Sequence, residues 1–179
     1  MPTYVGFLRA INLGARRKFP AGAVRASAEG AGFADVETYL NTGNVRVGTR
    51  MRSLPRVEAA LEAAFEADRG FEVPTIVYGS AELTELAEYA ATLDADFGAT
   101  ERHMVYLLRY PVAPEMGAEL EALSNDRVRI VAGPRSMHAL WPVAVAGDPD
   151  PLSSAAGRRL GLTTTRNVRV VTEVARRWG

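Results

Sequence analysis

The stretch that decides the fold is residues 4–14, which read YVGFLRAINLG. Its first half places apolar side chains on both faces of an extended chain, which is typical of a strand in the middle of a sheet. Arg9 follows inside this apolar run and is predicted to be buried. The chain then opens into a loop that contains glycine and the cations Arg16, Arg17 and Lys18. We expect a strand that delivers polar groups to the rim of a sheet, and any functional site to lie there.

Outward from this strand, apolar periodicity and turn residues predict five further elements in the first half of the chain. The turn 41–44 joins two strands as a hairpin, and Pro74 places the last strand of this half at an edge. Ser53 is predicted to cap the second helix and Gly70 to end it. The elements are strand 3–9, helix 20–29, strand 35–40, strand 45–47, the helix between Ser53 and Gly70, and strand 73–78. This order is that of the ferredoxin-like plait.

The second half predicts the same order again after a connecting helix, 80–91, and an acidic loop, 92–101. Its elements are strand 103–109, helix 114–123, strand 127–131, strand 137–141, helix 152–160, strand 162–165 and a last helix that Asn167 caps and that runs to residue 178. The fold class is therefore α+β, with two ferredoxin-like (βαββαβ) plaits in one chain and antiparallel sheets packed against helices. The predicted domains are 1–79 and 80–179.

Composition excludes several classes of protein. The chain has 179 residues, with 21 cationic and 21 acidic side chains, and therefore no net charge. A global basic field that would hold nucleic acid is missing. There is no cysteine, which removes disulfides, thiol catalysis and cysteine-ligated metals and fits a reducing compartment. No apolar run approaches the ~20 residues that span a bilayer, so we expect a cytoplasmic protein without a membrane partner.

No motif of known catalytic or cofactor chemistry occurs in the chain. It has neither a GxGxxG nor a Walker-type GxxxxGK[ST] sequence. Its two histidines, His103 and His138, are distant in sequence and have no cysteine beside them, which argues against a zinc site. His138 alternates on a strand next to Leu140, where a lone histidine is usually satisfied locally or solvated. Asp94 is predicted to be solvated, and residues 148–151 (DPDP) to form an exposed turn rather than a carboxylate magnesium site. The sequence predicts no metal and no cofactor.

The topology of the plait brings separate loops to one rim of the sheet. Its first two strands run parallel, so the loop after the first strand and the hairpin after the second strand end on the same side. Cationic, amide and hydroxyl groups at a helix start suit a phosphate or carboxylate. In the alternative, structural interpretation, Arg9 pairs with a buried carboxylate, and Asn12 and Asn44 bond their own backbone. The residues expected to converge are Arg9, Asn12, Gly14, Lys18, Asn41, Thr42, Asn44 and Arg69.

Several stretches resemble a known family. Residues 4–14 resemble the YVxLLRGINVGG opening of a bacterial domain-of-unknown-function family, number 1697. Residues 32–39 (GFADVETY) and 42–45 (TGNV) are similar to its LGFxDVxTYIxSGNVVF, and residues 164–167 (TTRN) to its TTRNWxTVxKL. The resemblance implies a fold with duplicated ferredoxin-like units, and it implies no activity.

The chain departs from this family pattern at several positions. Ala10 and Ala15 stand where the family has glycines, and Val168 stands where it has tryptophan. A basic GIGRSKL-like stretch is replaced by residues 147–152 (GDPDPL). If that stretch contacts a ligand in relatives, the contact is lost or moved in this chain.

The resemblance adds Arg166 and Asn167 to the candidate ligand-binding residues, as a third side of the rim. Each also has a structural interpretation: Arg166 as a surface or inter-half salt bridge, and Asn167 as the cap of the last helix. RNA recognition is disfavoured, because the third strand has no aromatic residue on either face.

Three functions stay open. The first is a binding module for a small anionic or phosphate-bearing ligand at the rim. The second is an enzyme of unknown reaction in which Arg9 and Lys18 stabilise developing negative charge at the same rim. The third is a structural or protein-interaction module, for example a homodimer, without a small ligand.

Overall fold

The computed structural model describes residues 1–14, 17–98, 100–144 and 147–179. Ala15 and Arg16, both named above in the loop after the first strand, lie outside the described residues. The elements follow the order that the sequence predicts. They are β1 (Thr3–Leu8), α1 (Ala21–Gly30), β2 (Ala34–Tyr39), β3 (Asn44–Gly48), α2 (Leu54–Arg69), β4 (Thr75–Gly79), α3 (Ser80–Phe97), β5 (Arg102–Leu108), α4 (Pro114–Glu121), β6 (Arg129–Gly133), β7 (Ser136–Trp141), α5 (Ala155–Arg158), β8 (Thr163–Asn167) and α6 (Val168–Trp178).

The chain divides into two compact units. The first contains residues 1–83 together with 174–179, and the second contains residues 84–173. The last turns of α6 therefore belong to the first unit. There the Trp178 indole nitrogen donates to a carboxylate oxygen of Glu37 at 3.1 Å, and the Ser80 hydroxyl donates to the Trp178 carbonyl at 2.8 Å.

The first unit is a four-stranded antiparallel sheet in the order β2-β3-β1-β4, with β1 in the middle and β4 at an edge, as predicted. Helices α1 and α2 cover the face that carries Tyr4 and Leu8. Helix α2 forms because Val57, Leu61 and Phe65 recur every four residues and are fully buried, each contributing roughly 1.5–3 kcal/mol of burial. It ends at Gly70, whose φ of 71° is the left-handed conformation of a helix C-cap.

The second unit has the same topology, with the strand order β6-β7-β5-β8. Even the hydrogen bonds at the strand ends correspond. The Leu8 amide donates to the Gly43 carbonyl at 2.8 Å, and the Leu108 amide donates to the Arg135 carbonyl at 2.9 Å. The sequence prediction of two ferredoxin-like plaits is thus confirmed.

The connecting helix is longer than predicted. Helix α3 continues to Phe97, so the predicted acidic loop is wrong over residues 92–97. Two side chains in that stretch explain the difference: Leu93 is buried, and Asp94 bonds a histidine of the sheet. The acidic composition of this stretch therefore did not indicate that the amphipathic helix α3 continues through it.

Element ends in the second unit also differ from prediction. Helix α5 spans only Ala155–Arg158 instead of 152–160, because the Ser154 hydroxyl accepts the Gly157 amide at 3.1 Å and starts the helix there. Strand β8 extends to Asn167 rather than ending at residue 165. This extension places Arg166 inside the sheet.

Candidate functional sites

The loop between β1 and α1 is closed on itself by Asn12. The Asn12 amide donates to the Arg17 carbonyl at 2.6 Å, and its side chain exchanges two hydrogen bonds with the backbone of Phe19, at 2.8 and 3.1 Å. Arg17 adds a bond from Nε to the Ala10 carbonyl at 2.7 Å. Asn12 is thus a structural clamp of this loop, although it bonds the backbone of residues farther along the chain rather than its own.

The hairpin between β2 and β3 meets the same loop, as the topology predicted. Asn12 Nδ2 donates to the Asn41 carbonyl at 2.5 Å, and the Asn41 side chain accepts the Ala21 amide at 3.2 Å, at the start of α1. Asn44 is fully buried, and its Nδ2 donates to the Tyr39 carbonyl at 2.9 Å and to the Thr42 hydroxyl at 3.0 Å. We call these two connected loops the rim.

The rim backbone is unusually rich in left-handed residues. Ala10, Asn12 and Leu40 have φ values of 57°, 56° and 58° without being glycine. Gly14, at 65°, and Gly43, at 80°, share the conformation, and a Cβ on Gly43 would lie 2.7 Å from Leu8 Cβ. A non-glycine residue in this region costs of order 1 kcal/mol and persists where the surrounding structure fixes it, which occurs often at ligand sites.

The cations of the rim fall into two groups. Arg17 and Arg69 are used structurally: Arg17 Nη2 donates to the Glu72 carbonyl at 2.6 Å, and Arg69 Nε pairs with Asp68 at 2.8 Å while its guanidinium lies over Phe19. Arg9 and Lys18 are exposed. The prediction that Arg9 is buried is wrong, because β1 ends at Leu8 and the chain turns away through Ala10.

Arg166 and Asn167 belong to the second unit, and their place at the rim stays a prediction. Arg166 is 8% exposed, and its Nη1 donates to the Thr164 hydroxyl at 3.1 Å and to the Thr165 carbonyl at 2.9 Å. Burial lowers the pKa of Arg166 to about 10. Asn167 Oδ1 accepts the Arg169 amide at 2.9 Å, which is the capping bond that its structural interpretation predicted.

A set of residues that sequence reasoning missed lies where α3 meets the second sheet. His103 and His138 touch, with His103 Nε2 2.9 Å from His138 Nδ1. The other ring nitrogen of each histidine also has a partner. His103 Nδ1 lies 2.8 Å from Asp94 Oδ1, and His138 Nε2 lies 3.0 Å from the Ser136 hydroxyl. We call these four residues the histidine chain. The prediction that Asp94 is solvated is correct only in part, because its side chain is 39% exposed and also bonds His103.

Both rings of the histidine chain are neutral near pH 7. Burial lowers the pKa of His138 to about 3, and the neighbouring His103 lowers it as well. Burial also lowers the pKa of His103, and the bond from Asp94 opposes this shift. An ionised Asp94 accepts, which places the His103 proton on Nδ1, and the His138 proton then lies on Nδ1 as well. The Ser136 hydroxyl therefore donates to His138 Nε2.

The DPDP turn is less exposed than predicted. The Asp148 side chain is only 4% exposed and accepts hydrogen bonds from Arg127 Nη2 at 2.6 Å and Arg102 Nη2 at 3.4 Å. Asp150 accepts the Tyr106 hydroxyl at 2.7 Å, and burial together with this bond raises the pKa of Tyr106. Within the described ranges, no group of three or more histidine or acidic residues could hold a metal ion.

Two sheets with one topology, each packed against helices, define a duplicated ferredoxin-like α+β protein. The model of the family described as "Protein of unknown function (DUF1697)" matches residues 1–137, and the chain belongs to this family. The resemblance read from the sequence is thereby confirmed. The family description states no activity.

Solved structures support the same fold. The structure titled "The structure of conserved bacterial protein SP0830 from Streptococcus pneumoniae" covers 99% of this chain and 99% of its own, with a TM-score of 0.79 and 17% sequence identity. No curated protein matches the chain. In the described part of the chain, no helix has both the length and the apolar character that a membrane span requires.

Proposed function

We propose that this protein is a binding module for a small anionic ligand, such as a phosphate- or carboxylate-bearing metabolite, and that the rim of the first unit is its site. The observation that carries the proposal is a loop with a strained backbone, clamped by Asn12, at whose base Arg9 and Lys18 stay exposed. Exposed cations on a rigid backbone suit anion binding, because the backbone of the loop loses little conformational entropy when the ligand arrives.

The rim residues then divide by role. Arg9 and Lys18 contact the anion, while Asn12, Asn41, Thr42 and Asn44 hold the two loops in register, and Gly14 permits the loop's turn. We divide the residues in this way because the side chains of the three asparagines already form hydrogen bonds with backbone groups of the rim.

Local charge supports the choice of an anion. The chain as a whole has no net charge, but Arg9, Arg17 and Lys18 lie on a single loop, where Arg17 bonds carbonyl oxygens rather than carboxylates. A positive potential of this kind attracts anions over about 8–10 Å at physiological salt. Arg69 contributes less, because Asp68 neutralises it.

Titration with inorganic phosphate at constant ionic strength, followed by two-dimensional NMR, tests the proposal. We expect saturable shifts of the loop 10–18 and the hairpin 40–44 in the wild-type protein. Arg9→Ala and Lys18→Ala should each weaken binding by roughly tenfold, which is about 1.4 kcal/mol.

Arg50→Ala is the matched control, since Arg50 is exposed just beyond β3, at the opposite end of the same strands. It should bind phosphate as the wild type does. Shifts that never saturate, or that persist unchanged in Arg9→Ala, would show that the rim is a structural device and not an anion site.

A further inference from the structure

The second unit has a cavity of about 620 Å³, a volume that suits a small molecule. It lies between the C-terminal end of α3, the start of β5 and the first turns of α6. The lining residues are Ala91, Asp94, Gly98, Thr100, Glu101, His103, Asn167, Val168, Arg169, Thr172 and Glu173. One wall of this cavity is therefore the outer end of the histidine chain.

We infer that this cavity binds a small molecule that carries a protonated amine, and that Asp94 receives the ammonium group. Nothing in the rim proposal requires this second site.

Asp94 is the member of the histidine chain that a ligand can reach. Its side chain is 39% exposed, whereas His103, His138 and Ser136 are at most 3% exposed. Both ring nitrogens of His103 already have partners, so the imidazole can offer the cavity no free nitrogen. A carboxylate has about four acceptor positions, and His103 uses one of those on Asp94.

The charge of the lining selects a cation. Asp94, Glu101 and Glu173 are acidic, Arg169 is the one cationic lining residue in the described chain, and His103 is neutral. The C-terminal end of α3 adds the negative end of a helix dipole. The opposing N-terminal end of α6 is partly satisfied, because Asn167 already accepts the Arg169 amide.

The buried part of the histidine chain positions Asp94. His103 donates from Nδ1 to Asp94 Oδ1, and the bonds between His103 and His138 and between His138 and Ser136 hold the His103 ring in place from behind. Tyr89 holds His138 in turn, with its ring edge-on at 5.4 Å. Such a rigid carboxylate can receive an ammonium group without first losing rotamer freedom. His103 and His138 are therefore positioning residues, not ligand contacts.

The test uses 1,4-diaminobutane as the probe, with the neutral isostere 1,4-butanediol and inorganic phosphate as comparison compounds. Two-dimensional NMR of the full chain follows the amides of 94–101 and 167–173 and the imidazole nitrogens of His103. We expect saturable shifts with the diamine at millimolar concentrations, including a shift of His103 Nδ1, and no saturable shift of these signals with the diol.

Asp94→Asn keeps the size of the side chain and an oxygen that accepts from His103, but it removes the charge. It should weaken diamine binding by at least about tenfold. The matched control is Asp96→Asn, because Asp96 lies on the same helix, is exposed and does not line the cavity. This variant should bind the diamine as the wild type does.

Three results would overturn the inference. They are equal diamine binding by Asp94→Asn and the wild type, cavity shifts with phosphate instead of the diamine, and no saturable shift with the diamine at all. A fourth measurement separates positioning from folding. In His138→Gln that keeps its native spectrum, a weakened diamine affinity supports the positioning role, and an unchanged affinity contradicts it.

Discussion

The two sheets share a strand order and a register. Each sheet has one face covered by helices, which are α1 and α2 in the first unit and α4 in the second, and it is the other face that differs in chemistry between the units. In the first unit this face presents Val5, Phe7 and Tyr78, all fully buried, with the rings of Phe7 and Tyr78 edge-on at 5.9 Å. In the second unit the corresponding face contains Val105 and Leu107, but also His103, His138, Ser136 and Arg166. Buried polar side chains thus occupy part of a face that is mainly apolar and aromatic in the first unit.

Matching hydrogen-bonded partners identify the equivalent positions. Val5 pairs with Arg46 and Tyr78, and Val105 pairs with His138 and Arg166, so His138 corresponds to Arg46 and Arg166 to Tyr78. The first unit shows that the topology does not require buried histidines. Their desolvation costs free energy, and their mutual hydrogen bonds offset that cost.

The largest expected effect comes from truncating the two equivalent side chains. His138→Ala should lower the free energy of unfolding by about 3 kcal/mol, because it opens a cavity and leaves His103 and Ser136 without their partner. Arg46→Ala should cost about 0.5–1 kcal/mol, because it removes a partly exposed ion pair with Glu37 and a bond to the Asp35 carbonyl. Urea unfolding of both variants measures the difference. Equal costs would mean that the histidine chain stabilises the fold no more than a surface pair does.

The second effect is a dependence of stability on pH that comes from histidine, which the second unit contains and the first does not. The pKa of His138 is about 3 in the folded protein and 6.5 in the unfolded chain, so between these values the unfolded chain binds more protons. Stability is therefore fully present above pH 6.5 and falls on acidification, with a slope approaching about 1.4 kcal/mol per pH unit. Urea midpoints between pH 7 and 5 measure it.

His138→Gln provides the control for this slope. The variant should keep part of the slope, because burial lowers the pKa of His103 in the same direction. A slope that is identical in the variant and the wild type would assign the pH dependence to carboxylates instead.

The smallest effect concerns the start of the helix that follows the fourth strand of each unit, which is α3 after β4 and α6 after β8. Asn167 pairs with Met104 as Gly79 pairs with Tyr4, so the two positions correspond. Asn167→Ala should cost about 1 kcal/mol through loss of the cap, whereas Asn167→Gly, which installs the residue of the first unit, should cost only a few tenths. Thermal unfolding ranks the two variants. If alanine is no worse than glycine, the capping bond contributes nothing.

Much of the fold could be predicted because its signals are local. Apolar spacing in α2, the left-handed Gly70 and the edge position of Pro74 each follow from a few neighbouring residues. The end of α3 could not be predicted in this way, because acidic residues resemble a loop until their distant partner is known. The burial of Arg9 was predicted wrongly because the predicted strand was one residue too long. Strand β1 ends at Leu8, so Arg9 follows the strand instead of ending it.

The rim could be predicted from the sequence better than the histidine chain could. The convergence of Asn12 with Asn41 follows from strand connectivity, which the element order already contains. The histidine chain does not, because His103 and His138 are 35 residues apart and meet only in the register between β5 and β7. The available signal was weak: Ser136 and His138 alternate on one face of a strand, beside a helix that carries Asp94.

The assignment of residues 174–179 to the first unit bears on how the chain folds as it is synthesised. The ribosome makes residues 1–83 before the second unit, but Trp178, which bonds Glu37 and Ser80, only after it. The second unit, residues 84–173, is continuous in sequence. The first unit therefore gains the contacts of residues 174–179 only after the whole second unit has been synthesised.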